Sequence, residues 1–477
     1  MTGLLARIAE ADPDALAHEH RARRMTHGEL ATRSDALAAA LARSGQRGAP
    51  VVVRGHKQAE MLVGFVAAIK AGRPYVPIDD GLPAARVESI LRRCGDGATV
   101  LGPDDIATLA VGDARPPASA ALRPDETVYI MFTSGSTGEP KGVEISLANL
   151  AGFVDWAAAV HPVGRGRRFL NQAPFSFDLS VMDLYLALAT GGALVCIDRA
   201  MIENPLELRA ALATADLEVW VSTPSFAEMC LRDRTFSAAR LPRLDTFLFC
   251  GETLTPACVR GLHARFPGAR VYNLYGPTEA TVAVTSVLVD DAMLARWPVL
   301  PLGRPRPDTR VFIDDGEIVI EGPSVSPGYR GAPELTARVF AGDPPRRRYR
   351  TGDAGHVEDG ELFFDGRIDH QIKLFGHRIE LDDIAANIAA LADVEQAVVL
   401  PVVRDGRCEA LAAFVVARDG ATLDGEALRE QLRARLPAYM LPRDVHVLAG
   451  LPMTVNGKID RGQLAARLSA PRVAPAQ

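Results

Sequence analysis

Apolar residues recur along the chain in two alternating textures. Short continuous runs have the length and β-branched content of buried strands: VVVR at 51–54, ATVLG at 98–102, VYIMFT at 128–133, GALVCI at 192–197, LEVWVS at 217–222 and DTFLFC at 245–250. Between them lie stretches with apolar residues at helical spacing. These cover 26–41, with Thr26 as N-cap, 59–70, closed near Gly72, then 149–159, 206–214 and 255–265. Strand–helix alternation sustained over this length predicts an α/β protein with layered sheets.

From about Leu300 the texture changes. VFIDDGEIVIEG at 311–322 reads as a hairpin around a DG turn, and the charged, alternating run at 361–381 reads as a solvent-facing sheet. A helix at 381–391, strands at 395–403 and 410–417, a helix at 425–436 and a strand at 444–447 complete a small α+β unit. The pattern therefore predicts two parts: a large N-terminal region, 1–368, and a small C-terminal domain, 369–477, ending in a frayed tail over the last dozen residues.

Composition narrows the class. The 477 residues exceed the roughly 150 of a typical domain, which agrees with more than one unit. With 53 Lys and Arg against 59 Asp and Glu, the net charge of −6 offers no footprint for nucleic acid or an anionic membrane. The six cysteines form no CxxC pair, and the most apolar early run, 61–69, is far short of the roughly 20 residues that span a bilayer. A cytoplasmic chain with reduced thiols and no membrane insertion is expected.

Chemistry concentrates in a few motifs. TSGSTGEPKG at 133–142 follows an apolar strand and precedes a helix that Ser146 can cap. Its glycines (Gly135, Gly138, Gly142) permit a tight path, and Thr133, Ser134, Ser136, Thr137 and Lys141 offer donors to phosphate oxygens. It is not a Walker A loop, because GxxxxGK[ST] is absent. NLYGPTE at 273–279 emerges from a strand's carboxyl end: Tyr275 can stack on a base, Thr278 can donate to phosphate, and Glu279 can ligate Mg²⁺. Asp353, in YRTGD, follows a Gly turn and suits the hydroxyls of a ribose. GRIDHQIK at 366–373 and NGKIDR at 456–461 are charged turns, the second with Lys458 at its tip.

Together these motifs, in this order, resemble the adenylate-forming enzymes: acyl-CoA synthetases, luciferases and the adenylation domains of peptide synthetases. The resemblance covers nearly the whole chain. It implies ATP and Mg²⁺ as cofactors, with the 133–142 loop on the β,γ-phosphates and Asn273 and Tyr275 at the nucleotide. It also implies Thr278 and Glu279 at phosphate and metal, Asp353 and Arg367 at the ribose, and a hinge at Asp369. Lys458 matches the lysine that bridges the substrate carboxylate and the α-phosphate.

Asp178, in FSFDLS, matches the carboxylate with which amino-acid activators pair the substrate ammonium; a helix cap is the competing role. Asp178 disfavours a CoA ligase for acids without an amino group. The joint presence of Lys141, Glu279, Asp353 and Lys458 disfavours a non-catalytic protein. Within the family, the stretches 169–185, 219–233, 247–254 and 275–286 resemble the members that activate D-alanine. Leu179, Met182, Cys250 and Val282 are then expected to leave methyl-sized space, with Cys250 against the side chain. Leu274 stands where threonine is expected in those members and borders the same pocket, so another small amino acid destined for a natural-product carrier is the alternative. The chain ends soon after NGKIDR, and the expected acceptor is the phosphopantetheine thiol of a separate carrier protein. Its final acceptor is lipoteichoic acid in the usual low-GC setting, to which this Ala- and Arg-rich composition does not conform.

Overall fold

In the computed structural model, which describes residues 3–135, 138–369, 371–374, 377–404, 407–453 and 459–469, Thr26 caps the helix His27–Ser44 as its spacing predicts. The cap is reciprocal. Thr26 accepts from the Glu29 amide at 3.2 Å, and the Glu29 carboxylate accepts from the Thr26 amide at 2.8 Å, satisfying two donors at the helix start. Ser146 caps Leu147–Val160 through Asn149 in the same way. Helix Ala59–Lys70 is buried continuously from Met61 to Ile69, which is why it reads apolar on every face.

The chain forms two compact units. The first comprises the described residues to Asp80, Leu91–Phe132 and Gly142–Ile368; the second comprises Gly81–Ile90, Thr133–Lys141 and the described residues from Asp369 on. The second unit therefore includes two segments that the sequence pattern assigns to the N-terminal region.

Among the described residues, a nine-stranded sheet dominates the first unit. Its central strands Arg270–Tyr275, Thr246–Phe249, Val219–Ser222, Arg168–Asn171 and Ala193–Cys196 run parallel. The register Phe249↔Asn273 and Ser222↔Phe249 aligns their carboxyl ends. Open parallel sheets bind ligands at that edge. A six-stranded sheet carries Val51–Gly55, Tyr75–Asp79 and Thr127–Thr133 in its interior. A five-stranded sheet contains the predicted hairpin Arg310–Asp314/Glu317–Glu321, whose turn residues Asp315 and Gly316 have φ of 51° and 76°. Two left-handed residues give a turn whose twist matches the strands. Helix Leu179–Thr190 is buried along nearly its whole length and shares an apolar cluster with Phe169 and Leu194 of the nine-stranded sheet.

The run at 361–381 is not one sheet. Glu361–Arg367 pairs with Arg348–Glu358 in the first unit, whereas Gln371–Leu374 and His377–Glu380 form a hairpin in the second. There, helix Leu381–Ala389 packs beside the strands Val394–Arg404, Arg407–Ala417 and Asp444–Leu448. Of the expected tail, residues 470–477 lie outside the described residues. Helix Arg461–Ser469 inserts Leu464 among Val398, Leu400 and Phe414. Among the described residues no helix is long and apolar enough to cross a membrane.

Candidate active site

In the first unit, the strand Arg270–Tyr275 ends at the Gly276-Pro277 turn and passes into the short 3₁₀ helix Thr278–Ala280. Only glycine fits at 276, since a Cβ there would lie 2.6 Å from the Cα of Ala283. The Tyr275 hydroxyl donates to Asp353 Oδ2 at 2.5 Å, and Arg367 Nη1 donates to Asp353 Oδ1 at 2.7 Å. Strand register explains the second contact, because Asp353 and Arg367 are opposed across the Arg348–Glu358/Glu361–Arg367 pair. Burial and the Asp353 carboxylate push the Tyr275 hydroxyl well above its ordinary range, so it remains a donor. Asn273, expected at the nucleotide, directs its amide to the Pro301 carbonyl at 2.8 Å.

Thr278 and Glu279 are both buried, Glu279 completely. Tyr329 donates to Glu279 Oε1 at 2.8 Å, which orients the carboxylate. A carboxylate with a hydroxyl beside it is the hard-oxygen donor set that Mg²⁺ takes, usually together with substrate phosphates. Immediately after it, Thr281 and Val282 adopt φ of 63° and 68°. Left-handed backbone at a β-branched residue costs on the order of 1–3 kcal/mol and persists only where surroundings enforce it. Thr281 is held by a 2.8 Å bond to the Ser324 carbonyl, and the Val282 carbonyl faces Cys250 Sγ at 3.7 Å.

Leu179, Met182, Cys250, Leu274 and Val282, expected to line the amino-acid pocket, all lie in the buried core of the first unit, and Cys250 Sγ meets the Val282 carbonyl at 3.7 Å. Asp178 is 7% exposed at the start of helix Leu179–Thr190, yet its side chain makes no capping bond, so the helix-cap role is not taken up.

In the second unit, the described residues around Gly135 and Gly138 approach closely. A Cβ on Gly135 would lie 2.3 Å from the Glu139 carbonyl, and the Gly138 amide closes a turn onto the Gly135 carbonyl at 3.1 Å. Thr133 Oγ1 is buried with no hydrogen-bond partner among the described residues. That orphaned donor fits a phosphate oxygen. Ser134 Oγ donates to the Arg378 carbonyl and accepts from the Glu380 amide, each at 3.0 Å. Lys141 Nζ lies 3.6 Å from Glu380 Oε1, and Arg86 pairs with Asp383 at 2.9 Å. Burial raises the pKa of both carboxyls, with the neighbouring cations opposing it. Asp369 accepts from the Gln371 amide at 3.0 Å. Ser136, Thr137 and Lys458 lie outside the described residues.

Two features have no motif. Tyr329 sits fifty residues from its partner Glu279. Lys57, Asn171 and Asp183 form a buried polar chain beneath the pocket segment. Its only trace in the sequence is a carboxylate inside the otherwise apolar helix LSVMDLYLALAT. Among the described residues, His56, Asp79 and Asp80 also converge. Both nitrogens of His56 are already engaged there, by Asp79 at 2.7 Å and the Arg199 amide at 3.1 Å.

A parallel sheet in the first unit with a buried tyrosine and carboxylates at its carboxyl edge, together with a Ser/Gly/Lys loop in the second, defines a nucleotide-using enzyme. The chain belongs to the AMP-binding enzyme family, which it matches over residues 5–330, with that family's C-terminal domain over 383–458. It is an ATP-dependent, AMP-forming ligase. It is similar to the D-alanine–D-alanyl carrier protein ligase of Bacillus licheniformis, at 43% identity across 96% of this chain and 98% of that protein. Among solved structures it resembles holo-PA1221, a peptide-synthetase protein containing adenylation and PCP domains, at 27% identity and TM-score 0.80. That match covers 97% of this chain and 84% of that one. The fold is also that of the Vibrio cholerae adenylation domain AlmE in complex with glycyl-adenosine-5'-phosphate, with TM-score 0.84 at 23% identity, over 98% and 97% of the two chains.

Proposed function

We propose that this enzyme activates D-alanine as D-alanyl-AMP and transfers it to the phosphopantetheine thiol of a separate carrier protein, in the cytoplasm. The observation that carries the reading is Asp178, a buried carboxylate at the head of the helix that carries Leu179 and Met182. A carboxylate at that position can accept from a substrate ammonium in a charge-assisted hydrogen bond. The similarity to D-alanine–D-alanyl carrier protein ligases over nearly the full chain supports the same substrate.

In the first half-reaction a substrate carboxylate oxygen bonds the ATP α-phosphorus, the α–β bridge breaks, and pyrophosphate departs. Asp178 holds the ammonium, and the Thr133–Lys141 segment holds the leaving phosphates. Tyr275, Asp353 and Arg367 hold the nucleoside, while Lys458 offsets charge developing at the α-phosphate. Bound Mg²⁺ supplies further neutralisation of phosphate charge, and Glu279 and Thr278 are the residues suited to hold it. In the second half-reaction the carrier thiolate attacks the acyl carbonyl and AMP leaves. Residues 369–477 act as the mobile domain that turns at Asp369 and withdraws Lys458 between the two steps.

Leu274 supports a second reading, in which a different small amino acid is delivered to a natural-product carrier. Pyrophosphate exchange across glycine and both enantiomers of alanine, serine and threonine separates the two. D-alanine is expected to give the largest kcat/KM. A preference for L-alanine, or for an acid lacking an amino group, overturns the substrate.

A further inference from the structure

Lys57 is completely buried, and burial pulls its pKa down. A core lysine is expensive to keep when methionine fills similar space. Among the described residues, the hydrogen bonds and ring contact of its ammonium go to one short segment. The ammonium donates to Asn171 Oδ1 at 2.6 Å and to the Ala173 carbonyl at 2.5 Å, and it lies 5.0 Å from the centroid of the Phe175 ring. The contacts fall on alternate residues of the stretch that leads from the strand Arg168–Asn171 to Asp178. On the far side, Asn171 Nδ2 donates to Asp183 Oδ2 at 2.8 Å, and Asp183 Oδ1 accepts from the Leu184 amide at 3.0 Å. Asp183 lies in the helix that Asp178 begins. The buried cation and the buried carboxylate thus grip both ends of the turn that presents Asp178, with the Asn171 amide between them.

We infer that Lys57 is a positioning residue for amino-acid recognition: its ammonium fixes the 171–175 path and so sets where Asp178 meets the substrate ammonium. This rests on the proposed role of Asp178. The backbone of Lys57 is anchored independently, since its carbonyl bonds His18 Nε2 at 2.9 Å, so a substitution there acts through the side chain.

The test is the KM split in amino-acid-dependent pyrophosphate exchange, using the best amino acid of the wild-type enzyme. Lys57→Met is expected to raise the amino-acid KM at least tenfold and leave the ATP KM within twofold. Lys57→Met leaves Asp183 without its balancing charge, so Lys57→Met/Asp183→Asn, in which both charges are removed, carries the test if the single variant does not fold. The double variant is expected to melt close to wild type and still show the raised amino-acid KM. A double variant with wild-type amino-acid KM overturns the inference, as does a parallel rise in both KM values. A wild-type enzyme that exchanges pyrophosphate without dependence on any amino acid overturns the proposed function instead.

Discussion

The Tyr275 hydroxyl and the Asp353 carboxylate, 78 residues apart in sequence, meet at 2.5 Å and join two motifs into one buried unit. Asp353 then has one oxygen held by Tyr275 and the other by Arg367, so its orientation is fixed before any ribose arrives. A hydrogen bond to a charged acceptor contributes about 1.5–3 kcal/mol, and removing the donor leaves the acceptor short of a partner. Tyr275→Phe keeps the ring and removes only that donor. The ATP KM is expected to rise roughly tenfold, by the 1.4 kcal/mol-per-decade rule, with the amino-acid KM unchanged. Steady-state exchange kinetics with each substrate varied in turn would detect it, and an unchanged ATP KM refutes the role.

Asp178→Ala is expected to raise the amino-acid KM and lower turnover, because the bound ammonium loses its paired acceptor. Titrating the amino acid at saturating ATP measures this directly. Near-wild-type exchange reduces Asp178 to a core residue.

Cys250→Ala is expected to weaken the preference for D- over L-alanine, since Cys250 Sγ packs at 3.7 Å from the Val282 carbonyl in the proposed pocket wall. Discrimination by shape alone is worth only about 1–3 kcal/mol per methylene-sized change, so the loss is one of degree. The ratio of kcat/KM for the two enantiomers is the readout. An unchanged ratio contradicts the pocket even if D-alanine is the substrate.

Lys458→Ala is expected to cripple pyrophosphate exchange while sparing thioester formation from supplied aminoacyl-AMP. A contact to the α-phosphate that strengthens in the transition state affects the first half-reaction alone. Equal losses in both halves refute it.

His161 gives a pH signature. Burial pushes its pKa down to about 4, opposed by its bond to the Ala157 carbonyl at 2.9 Å, and its other nitrogen meets Ser286 Oγ at 2.9 Å. The unfolded chain protonates this residue near pH 6.5 while the folded chain does not, so stability is lost as pH falls from about 6.5 toward 4. The loss totals about 3 kcal/mol. Glutamine does not titrate. The stability advantage of wild type over His161→Gln, from urea unfolding, is therefore expected to shrink by that amount between pH 7 and pH 4. A constant difference excludes a buried neutral His161.

Legibility in the sequence followed contiguity. The alternating strands and helices were readable because each carries its own periodicity, as in Leu147–Val160 with its Ser146 cap. The strand Tyr75–Asp79 was not, because Pro77 interrupts it. The fold tolerates that proline: Pro77 is registered with Val53 on one side, while on the other the strand meets Thr127–Thr133 at Tyr75↔Tyr129, two residues earlier. The YGPTE and RTGD motifs were visible separately, but their union through Tyr275 depends on sheet register. The buried lysine was hidden for a related reason: a single Lys before an apolar helix looks like any solvated helix start.

The left-handed backbone at Val282 bears on how this pocket can drift over generations. Deleting a buried valine ordinarily costs about 1.5–3 kcal/mol of burial, but glycine at this φ recovers on the order of 1–3 kcal/mol of strain. Folding therefore exerts little pull on the identity of this residue, which leaves it available to substrate choice if it lines the proposed pocket. Relatives adapting to bulkier amino acids could vary at 282 without first acquiring a compensating mutation elsewhere. The position is an open door in sequence space that folding does little to shut.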